Sequence, residues 1–497
     1  MKTLIITTLL FAASATYASS DLTNEVRKRR NCYQMMKEHT HNLNALLIEK
    51  KLYNDGDTMA AFVDESLSLK GVGKKVVVKG PFKLTKDITI NPAKNAILPI
   101  VTSLLVSDKP VHLYDLPKIS DIDKLKSILS SLGVKISVEG NRTTFHAQKI
   151  KSNMAVCDMV KNMRASMLVL GPLMARTGAG RVALPGGCPI GSRPYDLHVE
   201  GLKAMGAFFD EGEDYLQAAK RVDFPEDVHL KGGKVKFHFP SVGATQNIMS
   251  AAVLAKGTTI IENAAREPEI DDLMNFLNAM GAQISWSAPG VLKIVGVKEL
   301  KEVHYRPIGD RIEAGTYVMM ALMTKSQIKI KGFNPNHMGG ALEALKQMGA
   351  KMDIGEDYIE VFPSELKPIN VKTLPHPGFP TDLQSPFMAL LSTVEGESTI
   401  METLFENRFM HVPYFNDMGT DIVRDGNLAT INGSENAVFN STSAKATDLR
   451  AAAALIMMAS RSNGDVEIHD VKHLFRGYSD ILEKLQDQGI DIELVDE

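Results

Sequence analysis

Leu342-Glu-Ala-Leu-Lys-Gln-Met-Gly-Ala-Lys-Met-Asp-Ile-Gly355 reads as the end of an amphipathic helix, a stop, and an alternating strand. Leu342, Leu345 and Met348 fall on one helical face, whereas Met352 and Ile354 alternate with Lys351 and Asp353. The glycine between them has a physical cause. A helix that stops at Met348 needs a left-handed residue next, and glycine takes that conformation without steric cost. The same phrase closes on Gly133, Gly206, Gly281, Gly419 and Gly489, at intervals of about 70 residues. One copy would say only that helix-to-strand junctions favour glycine. Six copies predict six small α/β modules, which divide into two domains of three with internal threefold pseudo-symmetry. A second, more apolar helix precedes each later copy, at Ala165–Ala175, Ala244–Ala255, Ala314–Met323, Ser385–Thr393 and Ala451–Ala459. Helices apolar nearly all round belong at the centre of each domain. Two domains that face each other leave a cleft for substrate.

The whole chain supports a multidomain enzyme. Its 497 residues exceed one ordinary core, and Lys plus Arg (56) nearly balance Asp plus Glu (59), which removes the bulk electrostatic case for a nucleic-acid partner. Cys32, Cys157 and Cys188 are too few and too odd in number for a disulfide framework. There is no His-Glu-x-x-His and no paired Cys-x-x-Cys, so no metal and no cofactor is expected. Residues 1–18 carry a short apolar run and small residues in the manner of a targeting segment, too short to span a membrane. Residues 19–73 show no clear period and are expected to be a poorly ordered extension.

Several residues have types and settings suited to chemistry. Cys188 lies in Leu184-Pro-Gly-Gly-Cys-Pro-Ile-Gly-Ser-Arg193, where proline and glycine forbid regular structure and Arg193 would favour a thiolate; a lone cysteine is also commonly a small buried hydrophobe. Lys94, at the turn before an apolar helix beginning near Ile97, is placed either for an anion at a helix N-terminus or as a solvated turn lysine. Asp382 and Asp448 each follow a threonine just before an apolar helix, and so read equally as N-caps or as a catalytic base. Ser241-Val242-Gly243 opens a helix with free N–H groups suited to a diphosphate. Arg164, Arg193, Arg311, Arg408, Arg450 and Arg476 recur at equivalent places in the modules, and their convergence would make a site for a multiply anionic substrate pair.

From about Val76 onward these motifs resemble the enolpyruvyl transferase family, in the branch that acts on UDP-N-acetylglucosamine. The resemblance rests on Ala93–Ala96 (AKNA), Met163–Ser166 (MRAS), Leu184–His198 (LPGGCPIGSRPYDLH), Ser241–Thr245 (SVGAT), Glu262–Ile270 (ENAAREPEI), Asp310–Thr316 (DRIEAGT), Phe379–Asp382 (FPTD), Phe405–His411 (FENRFMH), Thr447–Ala451 (TDLRA) and Arg476–Tyr478 (RGY), all in order. It implies an α/β fold of two inside-out α/β barrel domains, each of three βαβαββ repeats. Residues 94–308 would form the first domain, and residues 74–93 with 309–497 the second. The implied reaction moves enolpyruvate from phosphoenolpyruvate to the 3-hydroxyl of UDP-N-acetylglucosamine with release of phosphate, the first committed step of peptidoglycan synthesis.

By that resemblance Lys94, Arg193 and Arg476 hold phosphoenolpyruvate, and Asp382 accepts the sugar-hydroxyl proton. Asp448 and Arg450 support addition, while Cys188 is a proton donor or transient adduct former, and the target of fosfomycin. Arg193 and Pro194 sandwich the uracil, and Arg164, Tyr195, Asp196 and Leu197 help seat the nucleotide. Ser241, Val242 and Gly243 line the diphosphate, with Asn95, Leu404 and Phe405 near the sugar. Two positions depart from the family: Pro92 precedes the lysine motif, and Phe239 stands where some members carry lysine. The partners implied are these two small molecules, with no nucleic acid and no stable membrane insertion. Cytoplasmic location is implied, against export or organelle import through residues 1–18. The rival activities are enolpyruvylshikimate-phosphate synthesis, disfavoured by the Cys188 loop, and a catalytically weakened nucleotide-sugar-binding paralogue.

Overall fold

The computed structural model describes residues 70–155, 164–184, 195–212 and 215–497, with burial undescribed at 164–166. The targeting-like segment 1–18, all three cysteines, Arg193 and Pro194 lie outside the described residues, as does the side chain of Arg164.

The predicted stop signal is present at every copy. Helices Ser120–Ser131, Asp196–Ala204, Pro268–Ala279, Gly340–Gln347, Val412–Asp417 and Ile481–Asp487 each end two residues before a glycine of positive φ, with one C-cap residue between. The angles are +101° at Gly133, +92° at Gly206, +100° at Gly281, +89° at Gly349, +96° at Gly419 and +82° at Gly489. Among the described residues the strands that follow enter six four-stranded sheets. All six share one pattern: an edge strand runs parallel to its neighbour, and the two remaining strands add antiparallel. The sheet of Val303–Tyr305, Pro110–Tyr114, Arg142–His146 and Lys135–Glu139 is one example. The inner antiparallel strands alternate buried and wetter residues, as in Tyr358–Phe362 and Arg142–His146, whereas outer strands such as Lys135–Glu139 are largely exposed.

Two hydrophobic cores result. One gathers buried residues from Ile97 to Val303. The other combines Val76–Ile90 with Ile312–Ile492. At the centre of the second lie Arg311–Met323, Gln384–Leu391 and Leu449–Ala459, packed against one another. Arg311–Met323 is buried along its whole length, which explains why its sequence shows so little amphipathic contrast. In the first core Lys94–Ser103, Leu170–Thr177 and Val242–Ala252 take the central place. The helix expected near Ile97 begins three residues earlier, at Lys94. The chain stays extended through Pro92, which bridges Gly309, and Ala93, the N-cap at φ −65° and ψ 123°, before the helix starts.

The chain passes between cores twice, and the two passages run side by side. Pro92 and Gly309 form an antiparallel bridge. Ala93 N donates to Ile308 O at 2.8 Å, and Asp310 N donates to Asn91 O at 2.8 Å. Asp310 then serves two helices at once: Oδ1 accepts from Ile312 N and Glu313 N, while Oδ2 accepts from Lys94 N at 3.2 Å. The double crossover therefore fixes the start of the helix that carries Lys94 and Asn95.

Candidate active site

Lys94 is 9 % exposed, and its Nζ lies 2.8 Å from Asp121 Oδ2. Asp121 sits in the first turn of Ser120–Ser131, where free N–H groups favour a carboxylate. From the other core Arg476 reaches the same carboxylate, Nε to Oδ1 at 3.0 Å and Nη2 to Oδ2 at 3.4 Å. Burial alone would raise the Asp121 pKa, but Lys94 and Arg476 overturn that and hold it at about 2. Lys94 is shifted down: burial disfavours its charge, and Arg476 and Arg450 add repulsion that Asp121 only partly offsets. Gly477 makes room for this arrangement, since a Cβ there would stand 3.1 Å from Lys94 Cδ and 2.9 Å from Leu449.

A second carboxylate faces this cluster. Asp382, in the single turn Thr381–Leu383, takes Arg408 Nη2 on Oδ1 at 3.0 Å and Arg450 Nη2 on Oδ2 at 3.0 Å. Asn95 Nδ2 adds a longer contact to Oδ2 at 3.4 Å. Both arginines are almost fully buried, and Asp382 is the more open partner, with 28 % of its side chain exposed. Arg450 also lies over the Tyr478 ring at 5.3 Å, and Tyr478 in turn hydrogen-bonds Thr316 at 2.9 Å. Asp448 has the capping role: its Oδ1 accepts from Arg450 N and Ala451 N at the start of Leu449–Ala459. That cap aims Arg450, so the two aspartates that look alike in sequence separate into a cap and an open carboxylate.

Glu402, 3 % exposed, organises the nearby loop. Its Oε1 accepts from Leu404 N, Phe405 N and Thr373 Oγ1, and its Oε2 from Thr381 Oγ1 beside Asp382. On the first core, Ser241 caps Val242–Ala252 by accepting from Ala244 N, which leaves the first turn of that helix to Val242 and Gly243. Asp196 and Leu197 open Asp196–Ala204, with Tyr195 as the preceding residue and its hydroxyl donating to Glu211. His198 from the same helix stands against Gly243, its Nε2 3.3 Å from where a Cβ would be. Asn247 Oδ1 accepts from Gly171 N, so its Nδ2 is left to donate to His198 Nδ1 at 2.9 Å. The imidazole therefore carries its proton on Nε2 and stays neutral, burial lowering its pKa to about 4.

Lys94, Asn95, Asp382, Arg450 and Arg476 are thus brought together around the crossover. Asp121, Glu402 and His198 were not singled out from sequence. Asp121 and Asp123 look like the ordinary acidic first turn of a surface helix, and nothing local marks Asp121 as the partner of Lys94 or of Arg476, 355 positions away. A second pair also ties the cores: Arg311, opening a second-core helix, forks onto Glu269 of the first at 2.9 and 3.3 Å.

The chain belongs to the carboxyvinyl transferases, as the family comparison shows. The model of the EPSP synthase (3-phosphoshikimate 1-carboxyvinyltransferase) family matches residues 78–485. The solved enolpyruvyl transferase NikO from Streptomyces tendae superposes with a TM-score of 0.76 at 22 % identity, covering 85 % of this chain and 99 % of its own. An EPSP synthase from Acinetobacter baumannii gives 0.66 at 18 % identity, covering 85 % and 99 %. The fold is therefore the pair of inside-out α/β barrels that the family resemblance implied. Within that class the chain belongs to the UDP-N-acetylglucosamine 1-carboxyvinyltransferase family. It is 42 % identical over 421 residues to the enzyme numbered 2 of Clostridium tetani, covering 84 % of this chain and 99 % of the relative. It is 44 % identical over 425 residues to that of Carboxydothermus hydrogenoformans, covering 85 % and 99 %.

Proposed function

We propose that this chain transfers the enolpyruvyl group of phosphoenolpyruvate to the 3-hydroxyl of UDP-N-acetylglucosamine, releasing phosphate, in the first committed step of peptidoglycan synthesis. The observation that carries the proposal is the meeting of Lys94, Arg476, Arg450, Asn95 and Asp382 at the crossover between the cores. Phosphoenolpyruvate carries a phosphate and a carboxylate, and the three cations suit both through charge-assisted hydrogen bonds. Asp121 is the anion that holds two of those cations before substrate arrives. Asp382 is an acceptor held by two guanidiniums and only partly buried, placed to take the hydroxyl proton as the oxygen attacks C2 of the enol. A proton delivered to C3 completes addition, and its later loss with departure of phosphate restores the double bond. Cys188, outside the described residues, takes the proton-donor role by family resemblance, as Arg193, Pro194 and Arg164 take the uracil and nucleotide roles.

The two cores correspond in this reading to domains of residues 94–308 and of 74–93 with 309–497. The diphosphate would lie at Ser241–Gly243, with the neutral His198 Nε2–H as a nearby donor, and Leu404 and Phe405 beside the sugar. Among the described residues no helix is long and apolar enough to cross a membrane. Both substrates are cytosolic metabolites, which favours the cytoplasm as the site of action. The test is phosphate release by the purified chain given both substrates. Release that needs UDP-N-acetylglucosamine is expected. Nucleotide-sugar binding without release would mean a non-catalytic paralogue, and release with shikimate 3-phosphate instead would transfer the chain to the sister activity.

A further inference from the structure

Outside the crossover cluster, the edge strand Val303–Tyr305 runs parallel to Pro110–Tyr114 with His304 in register with His112. Neighbours in register on one sheet face bring their side chains together, and the two imidazoles stack with centroids 4.2 Å apart. Each ring has its Nδ1 engaged: His112 with Thr144 Oγ1 at 2.9 Å, and His304 with the Tyr114 hydroxyl at 2.9 Å. Both Nε2 atoms then face one oxygen of Glu302, at 3.0 Å from His112 and 3.8 Å from His304. The three ligand atoms all lie within 4.8 Å of one another.

We propose that His112, Glu302 and His304 bind one divalent transition-metal ion of the zinc class on this sheet edge. Bonds of about 2.0–2.1 Å to a tetrahedral ion place its ligand atoms about 3.4 Å apart, which the two Nε2-to-Oε1 distances bracket. Engagement of each Nδ1 by a hydroxyl leaves Nε2 as the nitrogen free for a metal, and ion binding would turn the imidazoles out of their present stack, 20° between planes, so that both lone pairs converge. Two imidazoles and one carboxylate select zinc, nickel or copper over magnesium and calcium, which prefer all-oxygen shells. Half-exposed Glu302 and His304 leave the fourth position to water. The sequence expectation of no metal rested on short spacings, whereas His112 lies 190 positions before Glu302 and meets it and His304 only through the parallel strand pair. The ion would fasten Val303–Tyr305 just before the chain crosses at Arg306–Asp310.

The test uses the full chain freed of metal by a chelator. Titration with Co2+ as the probe is expected to show one equivalent bound without the intense near-ultraviolet band of thiolate ligation, and Zn2+ is expected to raise the melting temperature. His304→Gln and Glu302→Gln should each weaken binding at least tenfold and leave transferase turnover unchanged. Zn2+ should also shield His112 and His304 of the unsubstituted chain from acylation by diethyl pyrocarbonate, read by peptide mass spectrometry; this arm does not depend on how a variant folds. Equal binding by parent and variants, a thiolate band, or unshielded histidines would each overturn the proposal.

Discussion

Arg476 reaches out of the second core to fork onto Asp121 of the first, and the same carboxylate holds Lys94 at 2.8 Å. One buried anion thus neutralises two cations at the junction of the cores. Removing it leaves the buried Lys94 without its counter-charge. Asp121→Asn is expected to lower the stability of the ligand-free chain by about 3 kcal/mol, the cost of breaking a buried pair from one side. Inorganic phosphate should restore more stability to the variant than to the parent, because it supplies the missing anion. Thermal melts with and without phosphate read both effects. An unchanged melt, or equal phosphate stabilisation, would show that Asp121 is not the placeholder for the substrate anion.

Asp382→Asn removes the proton acceptor while keeping its shape, and turnover should fall by roughly 10²–10⁴, the range for loss of a general base. Arg408 acts on the same carboxylate from behind, at 3.0 Å from Oδ1. Arg408→Met keeps most of the volume and removes one positive charge, so the carboxylate binds protons more readily. The acidic limb of the kcat profile is then expected to move to higher pH. A purely structural role for Arg408 would lower stability and leave that limb in place, and the pH–rate profile separates the two.

How far this was legible in sequence follows from where each signal is stored. The Met348–Gly349 stop is local, a helix end that demands positive φ, and it repeats six times, so the fold could be read from it. Arg311–Met323 was legible as a central helix because burial on all sides leaves an all-round apolar pattern. Apart from the family resemblance, Asp382 and Asp448 were not separable, since both sit at helix starts after threonine. Only the path of Arg408 and Arg450 makes one an open carboxylate and the other a cap. Asp121 and Glu402 stayed hidden because their partners are remote in sequence or are backbone N–H groups. The role of Cys188 was readable only through family resemblance, because a loop of glycine and proline does not say which way a thiol faces.

For that cysteine the measurement is direct. Cys188→Ala is expected to abolish covalent labelling by an epoxide phosphonate, with Cys32 and Cys157 still present. Label found on either of the other two by peptide mass spectrometry would refute the assignment.

His411 is fully buried against Phe415, and neither ring nitrogen has a hydrogen-bond partner among the described residues. Burial lowers its pKa to about 4 from the usual 6.5. The folded chain keeps it neutral, whereas the unfolded chain protonates it below 6.5. Its contribution is therefore complete above about pH 6.5 and is lost as pH falls through 4, a change of up to about 3 kcal/mol. His411→Phe should flatten stability against pH across that window by a similar amount, measured by denaturant unfolding at stepped pH. A slope equal to the parent's would mean that His411 is charged in the folded chain.

The six helix stops make a graded prediction, because they share a backbone angle and differ in what surrounds them. Gly489, at φ +82°, has no atom within 4 Å of where a Cβ would be. Gly489→Ala therefore pays only for placing a side chain in the left-handed region, about 1–2 kcal/mol. Gly206, at φ +92°, would put its Cβ 2.5 Å from Phe224 Cζ, and the ring must move as well. Gly206→Ala should cost more than Gly489→Ala by about 1 kcal/mol or above, the usual penalty for forcing atoms into a filled space. Denaturant melts of the two variants compare them directly. Equal losses would mean that Phe224 yields freely, and no loss at Gly489 would mean that the last helix ends without a left-handed residue.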